Sequence, residues 1–211
     1  MTDTAPEPLP GPVTDPTSLT GHSPAPEEGL TTGRTPAVRI AHTADLDAAT
    51  LGAARALLHD VFDDMTEEDW DHALGGLHAL AYEDDELIGH ASVIQRRLLH
   101  GGRSLRCGYV EGVGVRADRR GRGHGAAMMA ALERVIRAAY DLGALGASDE
   151  AATFYAARGW QQWRGRSWTL TPSGVRRTAD EDDCLYVLPT PAAALDLDSD
   201  LTCDWRDGDV W

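Results

Sequence analysis

Residues 110–125 read Val110-Glu111-Gly112-Val113-Gly114-Val115-Arg116-Ala117-Asp118-Arg119-Arg120-Gly121-Arg122-Gly123-His124-Gly125. They run from the end of a β-type stretch, SLRCGYVEGVGV, into a loop of glycine and arginine. Gly112 and Gly114 interrupt the strand, as at a bulge or where a ligand approaches the backbone closely. Beyond the loop, Ala127, Met128, Ala131, Leu132, Val135, Ile136 and Ala139 form one broad apolar stripe, which predicts a helix from about Gly123 to Leu142. Glycines let backbone N–H groups come close to an anion, and the helix aims its positive N-terminus the same way. That is how a pyrophosphate site is built. The loop is neither a Walker loop nor GxGxxG. Its plainer reading is a basic surface turn.

Working outward, VRIAHT from Val38 reads as a first strand. Asp45 is the expected N-cap of a helix carrying Leu51, Ala54, Leu57, Leu58 and Val61 on one face. Thr66-Glu67-Glu68-Asp69 opens a short helix that stops at Gly75-Gly76. LHALAYE and ELIGHASVIQRRLL flank Asp84-Asp85, a hairpin signal. After the long helix come a strand near Gly143–Ala147, a helix near Asp149–Ala157, and strands near Gln161–Leu170 and Cys184–Leu188. This order predicts an α/β fold in one mixed sheet with helices on its faces.

Eight of the eleven prolines fall in residues 1–36, among small and polar residues, so that stretch reads as a disordered proline-rich extension and the folded domain as 37–211. The 19 basic residues are all arginine and face 34 acidic ones, a net charge of −15. Lacking lysine, the chain cannot have a Walker lysine, a pyridoxal Schiff base or a lysine nucleophile. Its acidity disfavours nucleic acid and anionic membrane and favours a cationic ligand. No apolar run is long enough to cross a membrane. Three dispersed cysteines fit a reducing cytoplasm rather than a disulfide scaffold. The eight histidines have no ligand spacing, so no metal is expected.

Arg120-x-x-Gly123-x-Gly125 after the strand Val110–Val115 resembles the acetyl-CoA signature of the GCN5-related N-acetyltransferase (GNAT) superfamily. Tyr155-Ala-Ala-Arg158-Gly159-Trp160, about thirty residues on, resembles that superfamily's late helix. More narrowly, HTADLD, EDWDHALGGLHAL, VIQRRL, LRCGYVEGV, AYDLGAL, FYAARGW and the closing CDWRDGDVW resemble the aminoglycoside 2′-N-acetyltransferase family over about residues 38–211. The resemblance implies a single GNAT domain, a mostly antiparallel mixed sheet with helices on both faces, and a homodimer. It also implies acetyl transfer from acetyl-CoA to the 2′-amino group of an aminoglycoside.

By the same resemblance, Val113, Gly114 and Val115 would pair with the pantetheine arm, and the Gly112–Val113 region would polarise the thioester carbonyl. Arg120, Gly121, Arg122, Gly123, His124 and Gly125 would take the pyrophosphate, with Arg122 the weaker candidate because backbone N–H groups can suffice. Glu111 shares a strand face with Tyr109 and can act as a base through water, bind a substrate ammonium, or form a structural ion pair. Tyr155 is the candidate acid, since a phenol stays protonated at neutral pH; otherwise it is a buried aromatic. The resemblance places Asp64, Gly112, Gly146, Asp180, Glu181 and Asp209 on the substrate side, with Asp69 less certain; any of these carboxylates can also be an ordinary solvated one.

The loop before Thr66 is about one residue shorter than the family's, which puts the position of Asp64 in doubt. Gly146 stands where a serine is expected and Glu181 where an aspartate is, which puts substrate preference in doubt. Trp211 closes the sequence, and its indole is expected to dock while its carboxylate orients a water opposite Glu111; the plainer reading is a core plug. Cys107 reads as a buried strand thiol. The rival readings are a GNAT enzyme acting on a polyamine, a protein N-terminus or a cell-wall amino sugar, and a non-catalytic protein that sequesters aminoglycosides or senses acyl-CoA.

Overall fold

The structure, a computed structural model, describes residues 37–211. The expected proline-rich extension, 1–36, lies outside the described residues. The first strand, β1 (Ala37–His42), pairs antiparallel with β2 (Leu77–Glu83), and between them run α1 (Ala48–Val61) and α2 (Glu67–His72). The cap of α1 is Asp47, whose side chain accepts from Thr50 N, not the expected Asp45. Asp45 instead ends a turn of 3₁₀-helix over Thr43–Asp45. The start of α2 is as expected: Thr66 and Asp69 form a reciprocal capping box.

Strand β3 (Glu86–His100) follows the hairpin at Asp84-Asp85, where both residues have positive φ (48° and 65°), the conformation of a type I′ turn. Strand β4 (Arg103–Val115) returns beside β3. Helix α3 (His124–Ala139) ends three residues before the expected Leu142, because Leu142 opens β5 (Leu142–Gly146). Helix α4 (Asp149–Ala156) precedes β6 (Gln161–Gln162), β7 (Ser167–Thr171), β8 (Gly174–Arg177), β9 (Leu185–Pro189) and β10 (Leu201–Cys203). The single stretch expected over Gln161–Leu170 is thus two strands, and β8 and β10 are additional.

The sheet order is β6-β9-β5-β4-β3-β10-β7-β8, with β2 and β1 added on β3. Among the described strands, only β4–β5 and β10–β7 are parallel. Strand β3 organises this arrangement. Its first part pairs with β2, its last three residues with β10, and its whole other edge with β4. Helices cover both faces. A Cβ on Gly89 or Gly108 would meet Met128 or Ile136 of α3, whereas one on Gly112 or Gly114 would meet Leu58 of α1. The α3 side holds a core of Met128, Met129, Leu132, Ile136, Tyr155 and Trp160. A second core gathers Leu98, Leu105, Tyr109, Trp163, Leu201 and Trp211.

Candidate active site

The parallel pairing of β4 with β5 covers only Cys107–Tyr109 against Leu142–Ala144. Beyond it the strands separate: β4 continues to Val115 on β3 alone, and β5 continues to Gly146 on β9. The edge of β4 from Val110 onward is therefore open to an added strand-like ligand. A bulge sits on it, where Gly112 and Val113 together oppose Ala91, between the pairs Ser92–Glu111 and His90–Gly114. Gly112 has φ +55°, and an added Cβ would lie 2.9 Å from Leu58 Cδ1, so the bulge requires glycine.

Gly121 and Gly123 both take positive φ, with no atom within 4 Å of a built Cβ, so an anion can reach their backbone. Gly123 caps α3 without a side chain, and the first helical bond of the turn is Ala127 N to Gly123 O. The N–H groups of His124, Gly125 and Ala126 lie before that first bond, where a helix has no partners of its own. The arginines are less available than their number implies. Arg119 pairs with Glu83 and Asp118, and Arg122 donates to Asp118 O and approaches Glu83. Arg120 Nε donates to Val115 O, bracing the turn. The residues fit a pyrophosphate through backbone N–H groups more than through arginine side chains.

Where β4 and β5 part, a cleft of about 630 Å³ opens. It brings together Asp64, Glu111, Gly112, Val113, Gly146, Tyr155, Glu181, Asp209 and Trp211. Asp69 also lines it. Asp180 does not; it is exposed and lines an adjoining groove with Arg176, Arg177 and Asp209. Gly114, Val115 and the loop 120–125 continue along β4 toward α3. Among the described residues lining the cleft, five carboxylates face one guanidinium, that of Arg206.

Glu111 is mostly buried, its side chain 15% exposed, and desolvation pushes its carboxyl up to about 7, against the opposing pull of Arg206, which bonds its Oε1. Tyr155, on α4, is 6% exposed, and burial raises its phenol to about 12. Burial first, then Asp209 and Asp180, raise the Glu181 carboxyl. Trp211 is docked, 4% exposed, with Nε1 donating to Thr178 Oγ1 at 2.9 Å. Cys107 is fully buried, with its thiol driven upward by burial, so it is no nucleophile.

Sequence reasoning missed the parts that hold this wall together. Arg206 bridges Glu111 and the main-chain oxygen of Trp211. Arg96, 4% exposed, ties β3 to the last segment through Asp204 Oδ1 (2.8 Å) and Val210 O (2.7 Å). Tyr109 carries a buried hydroxyl without a hydrogen-bond partner among the described residues, and a Cβ on Gly146 would lie 3.9 Å from it. An isolated arginine in CDWRDGDVW carries no signal of a partner 95 positions earlier.

A cleft where parallel strands part beside a bulge, next to a glycine-opened helix N-terminus, defines an acyl-CoA-type transferase, and the chain belongs to the acetyltransferase (GNAT) domain family, whose model matches residues 38–163. Within that class it falls with the aminoglycoside 2′-N-acetyltransferases. It is 51% identical over 177 residues to the aminoglycoside 2′-N-acetyltransferase of Mycolicibacterium fortuitum, which spans 82% of this chain and 91% of that protein. Solved structures agree on the fold. The YhbS GNAT N-acetyltransferase of Escherichia coli, in complex with CoA, superposes with a TM-score of 0.54 at 14% identity over 80% of this chain and 89% of that one. Eis1 of Mycobacterium abscessus matches with a TM-score of 0.52 at 21% identity, over 63% of this chain but only 33% of its own.

Proposed function

We propose that this chain transfers the acetyl group of acetyl-CoA directly to the 2′-amino group of an aminoglycoside. One observation carries the reading: Glu111 and Tyr155 line one acid-walled cleft at the point where β4 and β5 separate. Asp64, Asp69, Glu181 and Asp209 attract a polycation and orient its amines. Glu111, poised near neutrality, takes the proton of the substrate ammonium through a water. The neutral amine then attacks the thioester carbon, whose oxygen is met by the Val113 N–H at the bulge. As the C–S bond breaks, Tyr155 gives its proton to the departing sulfur, and the nitrogen, now bonded to the acetyl carbon, loses its second proton, which restores the phenol through water. Trp211 belongs to the same proposal through its main-chain oxygen, which Arg206 holds on the wall with Glu111. The proposed setting is a cytoplasmic homodimer.

The deciding measurement is thiol release from acetyl-CoA with a panel of amines. Aminoglycosides with a 2′-amino group should turn over and those with a 2′-hydroxyl should not. Turnover with only a polyamine, a peptide N-terminus or a cell-wall amino sugar would reassign the acceptor. No turnover with any amine would leave a binding protein.

A further inference from the structure

On the α1 side of the sheet, two fully buried histidines, His78 of β2 and His90 of β3, form a hydrogen-bonded chain that ends on the bulge. Thr43 Oγ1 lies 2.8 Å from His78 Nε2, His78 Nδ1 lies 2.9 Å from His90 Nε2, and His90 Nδ1 lies 2.9 Å from Gly112 O. A carbonyl can only accept, and with both rings neutral that sets every proton along the chain. His90 Nδ1–H donates to Gly112 O, so neutral His90 accepts at Nε2 from His78 Nδ1–H. His78 then accepts at Nε2 from the Thr43 hydroxyl, which itself accepts from Gly75 N at 2.9 Å. A second proton on His90 would set N–H against N–H, and one on His78 would force the Thr43 hydroxyl to turn to its other acceptor, Gly76 O at 3.3 Å. Burial disfavours that proton as well, holding both imidazoles down to about 4.

Gly112 O belongs to the same planar trans peptide as Val113 N–H, and the two point in opposite directions. Fixing the carbonyl on His90 therefore fixes the direction of that N–H, away from β3's imidazole. A hydrogen bond to the carbonyl oxygen also polarises the peptide and strengthens its N–H as a donor. Ser92 Oγ approaches Glu111 O at 3.5 Å, so side chains from β3 reach both carbonyls flanking the turn of the bulge.

We infer that His90, with its tautomer set by His78 and Thr43, is a positioning residue for acetyl transfer: it holds the Gly112 carbonyl so that the Val113 N–H meets the thioester oxygen. The inference rests on the acetyl-transfer reading above. His90 touches neither substrate and acts only through the peptide.

The test compares His90→Leu, which removes the donor, with His90→Asn, whose amide nitrogen can stand near the position of Nδ1. His90→Leu should lower kcat by about tenfold to a hundredfold, less than the roughly 10²–10³ lost when such a donor is deleted outright. KM for acetyl-CoA should move by no more than a few-fold, and His90→Asn should recover most of kcat. The thioester carbonyl stretch of bound, carbonyl-labelled acetyl-CoA should be lowered in the wild type and return toward its free value in His90→Leu. A folded His90→Leu protein with unchanged kcat and an unchanged carbonyl band overturns the inference. Should that variant not fold, ¹⁵N ring shifts of the wild-type protein decide: both buried histidines must carry the proton on Nδ1, and an Nε2-protonated His90 overturns the chain. The carbonyl band needs only bound acetyl-CoA. A wild-type protein that shifts the band but acetylates no amine thus defeats the transfer reading while leaving the peptide's orientation standing.

Discussion

Glu111 is pulled in opposite directions by its surroundings, and its chemistry follows from the balance. Burial favours the protonated acid and Arg206 favours the carboxylate, leaving the group near 7. The carboxylate is the form that accepts a proton, so kcat/KM for the acceptor should rise with pH to about 7 and then level. Replacing Arg206 by alanine removes the stabilising charge and hydrogen bond, and the acid limb should move to higher pH; a pH–rate profile shows this directly. Stability runs the other way. Because the folded value lies above the ordinary 4.5, the contribution of Glu111 to stability is complete below about 4.5 and is lost as pH rises through about 7. Denaturation of Glu111→Gln across that window should lack this loss. Tyr155 is the counterpart acid. Burial keeps it a phenol throughout the working range, and Tyr155→Phe should leave acetyl-CoA affinity intact while lowering kcat by roughly 10²–10⁴-fold, the usual worth of a general acid.

At the scale of elements, the short helix α2 shapes the substrate wall. Asp64 and Met65 precede its cap, Asp69 and His72 lie on it, and all four face the cleft. Thr66→Ala breaks the capping box, which should cost about 1 kcal/mol of stability and raise the aminoglycoside KM more than that of acetyl-CoA. This cap was legible in the sequence because its signal is local, as were the Asp84-Asp85 turn, the apolar stripe of α3 and the glycine loop. Elements defined by distant partners were not legible. The stretch from Gln161 to Leu170 reads as one strand, yet Gly165 breaks it, since an added Cβ there would lie 1.8 Å from Ser199 O, an atom 34 positions away. Three residues, Leu201–Cys203, carry no periodicity and become a strand only because β3 and β7 flank them. The site follows the same rule in part. Glu111, Tyr155 and the glycines lie in motifs, whereas Arg206 and Arg96 act through partners 95 and 114 positions away, and the two buried histidines through a side-chain pairing across the β2–β3 hairpin that no motif marks.

For the whole molecule, a net charge of −15 and a cleft whose charged groups are mostly acidic set the long-range attraction for a polycation. Exposed charges are screened over a Debye length of about 8 Å at physiological salt, so the aminoglycoside KM should climb steeply with ionic strength while that of acetyl-CoA changes little. A flat response in both would mean that shape, not charge, holds the sugar. Removal of residues 1–36, whose composition supplies few large apolar side chains, should leave the melting temperature and kcat unchanged. The position of β10 has a consequence for how the chain matures on the ribosome. Among the described strands, the hairpin β7–β8 joins the rest of the sheet only through β10. Residues 167–177 therefore emerge from the exit tunnel with no strand of the main sheet to pair with until 201–203 have been synthesised. A nascent chain halted before that point should already hold the β1–β5 layer and α3 but lack the wall that carries Thr178, Glu181 and Arg206, so acetyl-CoA recognition is expected to mature before aminoglycoside recognition does.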